Sequence, residues 1–244
     1  MSDGGKSLIV ITGASSGIGE DTAKQFHSLG HPLLLLARRV DRMKKLGLEN
    51  AMCEKVDVTD IKKIRKAVAA AEKKFNQSVD CIVNNAGVMM LEQFANQKQS
   101  EWQAMIDVNV HGVMNGIYAV IKGMYERKHG TVINVGSIAG TKIFPDHAVY
   151  CGTKFAVHAV GEAIRQESLK HNVRVTTIAP GVVETELLSH TTNDQIKSDY
   201  ETWKQGMGGA LTSADVARAI VYAYEQPQHV CIREIILAAT GQEM

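Results

Sequence analysis

The sequence predicts an α/β domain in which a parallel sheet is covered by helices on both faces. Short apolar runs alternate with longer amphipathic stretches, which is the pattern of βαβ units. The apolar runs are continuous rather than alternating, as is typical of strands buried on both sides. The 244 residues are 45% hydrophobic and 22% charged, and no repeat or linker divides them. We therefore expect one globular domain, residues 1–244.

Each element follows from the spacing of apolar residues. Strands are predicted at the short runs 7–12, 32–37, 81–84, 131–136, 173–179 and 234–238. Helices are predicted over 17–29, 60–75, 100–127 and 149–170, and over a last segment that begins with a capping pattern at Thr212 and ends before Pro227. Residues 185–209 are polar and irregular, so we expect them to form a substrate lid.

Composition and charge exclude several classes of protein. Lys and Arg number 27 and Asp and Glu 26, so the net charge of +1 predicts no nucleic-acid partner. No apolar run approaches the roughly 20 residues of a membrane span. The run 8–11 is too short for a signal peptide. We expect a cytoplasmic protein with no membrane partner.

The cysteines predict neither cross-links nor metal. Cys53, Cys81, Cys151 and Cys231 lie far apart, without a CxxC pair or a nearby histidine cluster. Reduced thiols are the expectation, with a disulfide framework or a zinc site as the alternative.

A glycine-rich loop joins the first strand to the first helix. Gly13, Gly17 and Gly19 have the spacing GxxxGxG rather than the GxGxxG of the common dinucleotide fingerprint. Glycines in such a turn let backbone N–H groups approach a pyrophosphate, which the N-terminus of the following helix also attracts. The loop predicts dinucleotide binding, and a simple strand-to-helix turn is the alternative.

The end of the second strand indicates which dinucleotide binds. NAD-binding folds have an acidic residue there for the ribose 2′-hydroxyl, whereas this chain has Arg38 and Arg39. Guanidinium groups suit a 2′-phosphate. The prediction is therefore NADP(H), with a solvated basic turn as the alternative.

Two Tyr-Lys pairs have the i, i+4 spacing that places both side chains on one helix face. A lysine near a tyrosine favours the tyrosinate, which can exchange a proton with an alcohol or carbonyl oxygen. Tyr150 and Lys154 have Ser137 upstream at the end of a predicted strand, so they are the catalytic candidates. Tyr200 and Lys204 lack such a serine and are interpreted as surface helix residues.

Ordered motifs along nearly the whole chain resemble the short-chain dehydrogenase/reductase family. The motifs are the loop 12–19, Asp57-Val58, Asn84-Asn-Ala-Gly87, Asn109, Ser137, Tyr150 with Lys154, Pro180-Gly181 and Thr185. The resemblance implies a Rossmann-type, doubly wound, seven-stranded parallel sheet in the order 3-2-1-4-5-6-7. It also implies a homotetramer or homodimer, and hydride transfer between NADPH and a carbonyl or alcohol substrate.

The same resemblance implies roles for individual residues. Tyr150 would be the acid/base and Ser137 would bind the reacting oxygen. Lys154 would bind the nicotinamide ribose and lower the pKa of Tyr150, and Asn109 would hold a water of a proton relay. The residues implied to surround NADP(H) are Gly13, Ser15, Ser16, Gly17, Ile18, Gly19, Arg38, Arg39, Asp57, Val58, Asn85, Ala86, Gly87, Tyr150, Lys154, Pro180, Gly181, Val182, Val183 and Thr185.

Further segments resemble two branches of this family. Segments 37–39 and 227–230 resemble NADP-dependent 3-hydroxy acid (serine-type) dehydrogenases. Segments 144–147, 150–158, 186–192 and 231–234 resemble members named for the blue fluorescence of the NADPH that they bind. A protein that holds NADPH with little or no turnover is therefore one alternative to an enzyme, and a non-redox interaction protein is another. The substrate stays open among hydroxy acids, aldehydes, diketones, steroids and quinones.

Overall fold

A central parallel sheet flanked by helices is the frame of the computed structural model, which describes residues 6–243. The strands are β1 (Leu8–Thr12), β2 (Leu33–Ala37), β3 (Ala51–Lys55), β4 (Val79–Asn84), β5 (Gly130–Val135), β6 (Val173–Pro180), β7 (Val183–Glu184), β8 (Leu211–Thr212) and β9 (Glu234–Leu237). The helices are α1 (Gly17–Ser28), α2 (Val40–Lys44), α3 (Ile61–Phe75), α4 (Gln99–Ile106), α5 (Gly112–Arg127), α6 (Ala148–Glu167), α7 (Asp194–Gly206) and α8 (Ser213–Glu225). Both ends of the predicted domain 1–244 lie outside the described residues.

Seven strands pair in parallel in the order β3-β2-β1-β4-β5-β6-β9, while β7 and β8 form a separate pair. Because β9 is the seventh strand of this sheet, the predicted order 3-2-1-4-5-6-7 is confirmed. The chain runs outward from β1 to β3 and then returns to place β4 on the other side of β1. A crevice for a ligand forms at the carboxyl ends of the strands where the order reverses in this way.

Both faces of the sheet are buried, as the continuous apolar runs predicted. In β1, Leu8 and Val10 belong to the core on one face, and Ile9 and Ile11 belong to the core on the other. Helices α3, α5 and α6 cover the first face, and α1 and α8 cover the second. Each buried Leu, Ile or Val contributes about 1.5–3 kcal/mol. These contacts fix the strand from which the glycine loop emerges.

Several elements differ from the sequence prediction, including α2, β7 and β8, which it did not contain. The edge strand β3 is only partly buried and includes Glu54, so it lacks the apolar run that marks the other strands. The expected helix 100–127 is interrupted by a π-helical turn, Asp107–His111, between α4 and α5. The expected irregular lid contains a 3₁₀ turn, Glu186–His190, followed by α7. The Asn193 side chain caps α7 by accepting from the N–H groups of Gln195 and Ile196.

One helical stretch within the described residues, Gln99–Arg127, is long and apolar enough to cross a membrane, although no membrane span was predicted from the sequence. Its buried side chains include Val113, Ile117, Val120 and Met124, which pack in the core against the sheet. The stretch is therefore the core helix of an α/β domain.

Candidate active site

A cleft of about 680 Å³ lies at the carboxyl ends of the strands around the switch point. This volume is within the roughly 300–1,000 Å³ that small-molecule sites occupy. Of the residues predicted to act in catalysis or to bind the cofactor, all but Gly19 and Asn109 line the cleft. The residues contributed by successive strand ends are Gly13, Arg38, Asn85, Ser137 and Gly181.

The glycine loop has the backbone that its sequence predicts. Gly13 and Gly17 have φ values of +66° and +53°, in the left-handed region that favours glycine. A Cβ on Gly13 would lie 2.8 Å from Cα of Ala86, so the loops after β1 and β4 are in direct backbone contact. Gly17 and Ile18 open α1 and line the cleft, which places a helix N-terminus at its wall.

The loop is further held from the β4 side. Asn85 Nδ2 donates to the carbonyl oxygens of Thr12, at 3.0 Å, and Gly13, at 3.3 Å. Gly19 lies behind this contact, since a Cβ there would come within 2.5 Å of both Asn85 Nδ2 and the Gly13 oxygen. Gly19 therefore shapes the loop without lining the cleft.

An anion-binding group lies at the end of β2. Arg39 Nη1 and Arg42 Nη1 each donate to one oxygen of the Glu186 carboxylate, both at 2.7 Å. Arg39 Nη2 also donates to Ser16 Oγ at 2.8 Å, and Arg39 Nε donates to Ser15 Oγ at 3.4 Å. The arginines hold the pKa of Glu186 below its usual value through these hydrogen bonds.

Sequence reasoning identified Arg39 but missed Arg42 and Glu186. Arg42 lies one helical turn after Arg39 in α2, so its basic side chain was a detectable signal. Glu186 lies 147 residues away from Arg39, so only the fold could reveal their contact.

The glycine loop and the arginine group have the shape and charge that the phosphates of a dinucleotide need. The left-handed glycines form a turn that a side chain would fill, and Glu186 shows that an anion fits between two guanidinium groups. The residues present therefore fit a dinucleotide with an additional phosphate on its adenosine ribose.

Ser137, Tyr150 and Lys154 meet at the other end of the cleft. Ser137 follows β5 and begins a 3₁₀ turn, where its Oγ accepts from Ala139 N at 3.1 Å. Lys154 Nζ donates to the Val135 carbonyl at 2.9 Å and lies 5.8 Å from the centre of the Tyr150 ring. The side chains of Ser137, Tyr150 and Lys154 therefore lie at the same end of one cleft.

The pKa of Tyr150 differs from the expectation that Lys154 lowers it. Burial raises this pKa, and a hydrogen bond with Ser137 only partly opposes the effect. The Lys154 ammonium is itself buried, which lowers its pKa to about 8. Desolvation disfavours the charged form of both groups and is the largest cause of both shifts.

Asn109 lies in the π-helical turn rather than in the wall of the cleft. Its Oδ1 accepts from Val88 N at 2.8 Å, and its Nδ2 donates to Val88 O at 2.9 Å and to Thr153 Oγ1 at 3.1 Å. A Cβ on Gly87 would lie 3.4 Å from Asn109 Oδ1 and 4.0 Å from Lys154 Nζ. Asn109 is therefore close to Lys154 behind Gly87. Turns of this kind are frequent at functional sites.

The interpretation of Tyr200 and Lys204 as surface residues is wrong. Tyr200 packs against the buried cluster that includes Tyr150, and both Tyr200 and Lys204 line the cleft. Lys204 Nζ lies 3.0 Å from Glu184 Oε1 and 2.5 Å from Glu201 Oε2. The sequence did not reveal that α7 would direct Tyr200 and Lys204 toward the cleft.

The substrate end of the cleft combines apolar and aromatic side chains with the charged groups of Glu184, Glu201 and Lys204. His147 has its ring 6.3 Å from the rings of both Tyr150 and Tyr200. Burial lowers the pKa of His147, so its neutral form is favoured. Met89, Phe144, His190 and Trp203 also line the cleft.

The expectation of reduced thiols agrees with the part of the chain that the structure describes, where all four cysteines are free. Within residues 6–243, no group of three His, Cys, Asp or Glu side chains is placed to hold a metal ion.

Comparison with known proteins agrees with this geometry. Residues 7–196 match the family model described as short chain dehydrogenase. An uncharacterized oxidoreductase of Staphylococcus saprophyticus is 40% identical over 243 residues, covering 97% of both chains. One of Listeria monocytogenes is 37% identical, covering 96% of this chain and 97% of its own.

Solved structures show the same similarity. A closed form of serine dehydrogenase complexed with NADP⁺ is 31% identical, with a TM-score of 0.88, over 97% of this chain and 96% of its own. Serine dehydrogenase from Escherichia coli is 30% identical, with a TM-score of 0.84, over 97% of this chain and 100% of its own. From its sequence match, its fold and its cleft, this chain belongs to the short-chain dehydrogenase family of oxidoreductases.

Proposed function

We propose that the protein is an NADP(H)-dependent oxidoreductase that interconverts a carbonyl compound and an alcohol. The convergence of Ser137, Tyr150 and Lys154 in the cleft that also contains the arginine group carries this proposal. The NADP⁺ in the similar serine dehydrogenase structure supports the choice of cofactor.

Two groups of residues would hold the cofactor. The glycine loop and the N-terminus of α1 would receive its pyrophosphate, and Arg38, Arg39 and Arg42 its 2′-phosphate. Asp57, Val58 and Asn85 to Gly87 would surround the adenosine, and 180–185 would surround the nicotinamide. When bound, NADPH supplies the hydride.

The side chains at the other end would manage the proton. Ser137 would donate a hydrogen bond to the carbonyl oxygen of the substrate, which polarises that bond. Tyr150 would give the same oxygen its phenolic proton, since a phenol of raised pKa is protonated at neutral pH. Lys154, with a pKa of about 8, is mostly cationic at pH 7 and would stabilise the tyrosinate that results. Asn109 would hold the relay water behind Lys154.

The charges at the substrate end favour a neutral substrate. Among the described residues that line this end, Lys204 is an ammonium paired with two carboxylates, and Lys154 is buried beneath Tyr150. A hydroxy acid would lack a free cation for its carboxylate. We therefore propose a neutral carbonyl with an apolar or aromatic body, despite the resemblance of two segments to 3-hydroxy acid dehydrogenases.

The resemblance to the fluorescent branch supports a second candidate, a protein that holds NADPH with little turnover. An extended NADPH in the apolar cleft would have enhanced and blue-shifted emission. A cytoplasmic homotetramer or homodimer, free of nucleic acid and membrane, is the setting that we propose for either function.

The first experiment is a titration with NADPH and, separately, with NADH. Nicotinamide fluorescence and thermal stability are followed, with and without a panel of aromatic ketones, aldehydes and hydroxy acids. We expect NADPH to bind at least tenfold more tightly than NADH and to be consumed by neutral carbonyls. Arg39→Ala should remove most of that preference, whereas Arg65→Ala, on the exposed side of α3, should not.

Three results separate the alternatives. Tight NADPH binding with no turnover supports the holding protein. A preference for NADH contradicts the assignment of the arginines. Failure to bind either dinucleotide favours an interaction protein on the same fold.

A further inference from the structure

His158 is a largely buried imidazole that the proposed mechanism does not use. It lies on α6 one turn after Lys154, and its ring is directly behind Ser137. Its Nδ1 is 3.0 Å from Glu234 Oε1, and its Nε2 accepts from the backbone N–H of Ser137 at 3.4 Å. The ring therefore joins β9, at the edge of the sheet, to the peptide of a proposed catalytic residue.

The loop that contains Ser137 is built around this ring. A Cβ on Gly136 would collide with His158 Nε2, and a Cβ on Gly140 would lie 2.5 Å from Cδ2 and Nε2. Neither glycine has the positive φ that would by itself call for glycine. The space that they leave is filled by the imidazole, so the ring sets where the segment between them lies.

The two partners of His158 select the same protonation state. A carboxylate only accepts hydrogen bonds, so Nδ1 must carry a proton toward Glu234. A backbone N–H only donates, so Nε2 must be unprotonated toward Ser137. Together they define one neutral tautomer, in the way that a carboxylate orients the imidazole in other sites.

We propose that His158, oriented by Glu234, is a positioning residue that holds the Ser137 peptide and thereby the Ser137 hydroxyl in place for the reaction. This inference rests on the proposed function, because it gives Ser137 the task of binding the reacting oxygen. His158 touches neither substrate nor cofactor in this role, and acts through Ser137 alone.

The charges around the ring give the proposal a pH dependence. Those acting on it are Glu234 from β9 and Lys154 from α6, while the Ser137 loop contributes its backbone N–H. Burial lowers the pKa of His158 from its usual value of 6.5, and Lys154 adds to this effect while Glu234 opposes it. Protonation of Nε2 in acid would remove the acceptor of the Ser137 N–H and place a second cation near Lys154. The turnover rate is therefore expected to fall as His158 becomes protonated.

Three variants test this role in the intact protein with NADPH and a neutral ketone. His158→Leu removes the acceptor and should lower kcat about tenfold, with the Kd for NADPH unchanged within twofold. His158→Gln keeps a neutral acceptor that cannot be protonated, so it should retain most of kcat and lose the acid limb of its pH profile. His129→Leu is the matched control, because His129 is also paired with a carboxylate, 3.1 Å from Asp80, but lies before β5, at the opposite end of that strand from Ser137.

A measurement on the unmodified protein does not depend on activity. Long-range ¹H–¹⁵N NMR spectra should show His158 as the neutral Nδ1–H tautomer at pH 7, with the signals assigned by their loss in His158→Gln. A protonated Nε2 at that pH would overturn the proposal, as would an unchanged kcat in folded His158→Leu. If the unmodified protein binds NADPH but reduces no carbonyl, the proposed function fails instead, and the role of Ser137 fails with it.

Discussion

The two tyrosine–lysine pairs of this chain have the same spacing but different electrostatic surroundings. Tyr150 and Lys154 are buried, and the lysine ammonium bonds to a backbone carbonyl. Lys204 instead bonds to the carboxylates of Glu184 and Glu201. Burial would lower the pKa of Lys204, but these hydrogen bonds outweigh it and raise the pKa. The i, i+4 spacing therefore brings the two groups together, but the surroundings decide in which direction the pKa of each lysine shifts.

The largest expected effect is on kcat, and it should distinguish Tyr150 from Tyr200. Tyr150→Phe removes the proposed proton donor and should lower kcat by about 10²–10⁴. Tyr200→Phe removes a hydroxyl at the wall of the cleft and should change kcat less than tenfold, with its effect mainly on KM. Steady-state kinetics with one neutral ketone measures both variants. Equal losses of kcat would mean that the two pairs do not differ as the structure indicates.

The next prediction concerns the lysines and stability. The pKa of Lys154 in the folded protein is about 8, below the 10.5 of an exposed lysine. Between these two values the unfolded chain binds more protons, so stability should rise with pH across that window. Lys154→Met should therefore raise the unfolding free energy at pH 7 by about 1–2 kcal/mol while abolishing turnover.

Lys204→Met is the matched variant, and it should lower stability by roughly 0.5–1 kcal/mol because it leaves Glu184 and Glu201 without their cation. Denaturant unfolding of both variants at pH 7 and pH 9.5 gives the comparison. A loss of stability in Lys154→Met at pH 7 would show that the Val135 hydrogen bond outweighs the burial of the charge.

The smallest expected effect is on the pKa of Tyr200, when Lys204 is freed from its carboxylates as Lys154 already is. The double variant Glu184→Gln with Glu201→Gln releases Lys204 from both carboxylates. The pKa of Tyr200, raised to about 12 mainly by burial, should fall below that value because Lys204 then acts on it without the two opposing carboxylates. Ultraviolet difference titration of the phenols, with Tyr200→Phe as the reference, measures this change.

The same double variant should admit anionic substrates. A free ammonium at the wall of the cleft would raise kcat/KM for a keto acid several-fold relative to a neutral ketone. An Asp194→Asn variant, in the lid but paired only with Lys197, should leave that ratio unchanged. No change of the ratio in the double variant would contradict the assignment of a neutral substrate.

The sequence predicted those parts of the molecule that depend on local pattern. The strand ends that carry Gly13, Ser137 and Gly181 follow from apolar runs and their breaks, so the cleft could be anticipated. β3 could not, because its sequence, Ala51-Met-Cys-Glu-Lys55, contains no continuous apolar run. The π-helical turn at Asn109 was missed as well, since one extra residue does not change the apolar periodicity enough to be seen.

Contacts between distant segments were also beyond sequence reasoning. His158 and Glu234 meet only because β9 pairs with β6, and the polarity of α7 hid the inward direction of Tyr200. The pKa of Tyr150 was misjudged for a related reason: proximity to Lys154 can be inferred from spacing, but the cost of burying the phenol cannot.

The carboxylate of Glu186 between Arg39 and Arg42 has a consequence for engineering cofactor preference. Dinucleotide folds that take NAD use an acidic side chain at the adenosine ribose, and those that take NADP use basic ones. This cleft holds both kinds of group in contact. Conversion to NAD should therefore require the loss of the guanidinium groups of Arg38, Arg39 and Arg42 and no added carboxylate, since an acid that can accept from ribose hydroxyls is already supplied by Glu186.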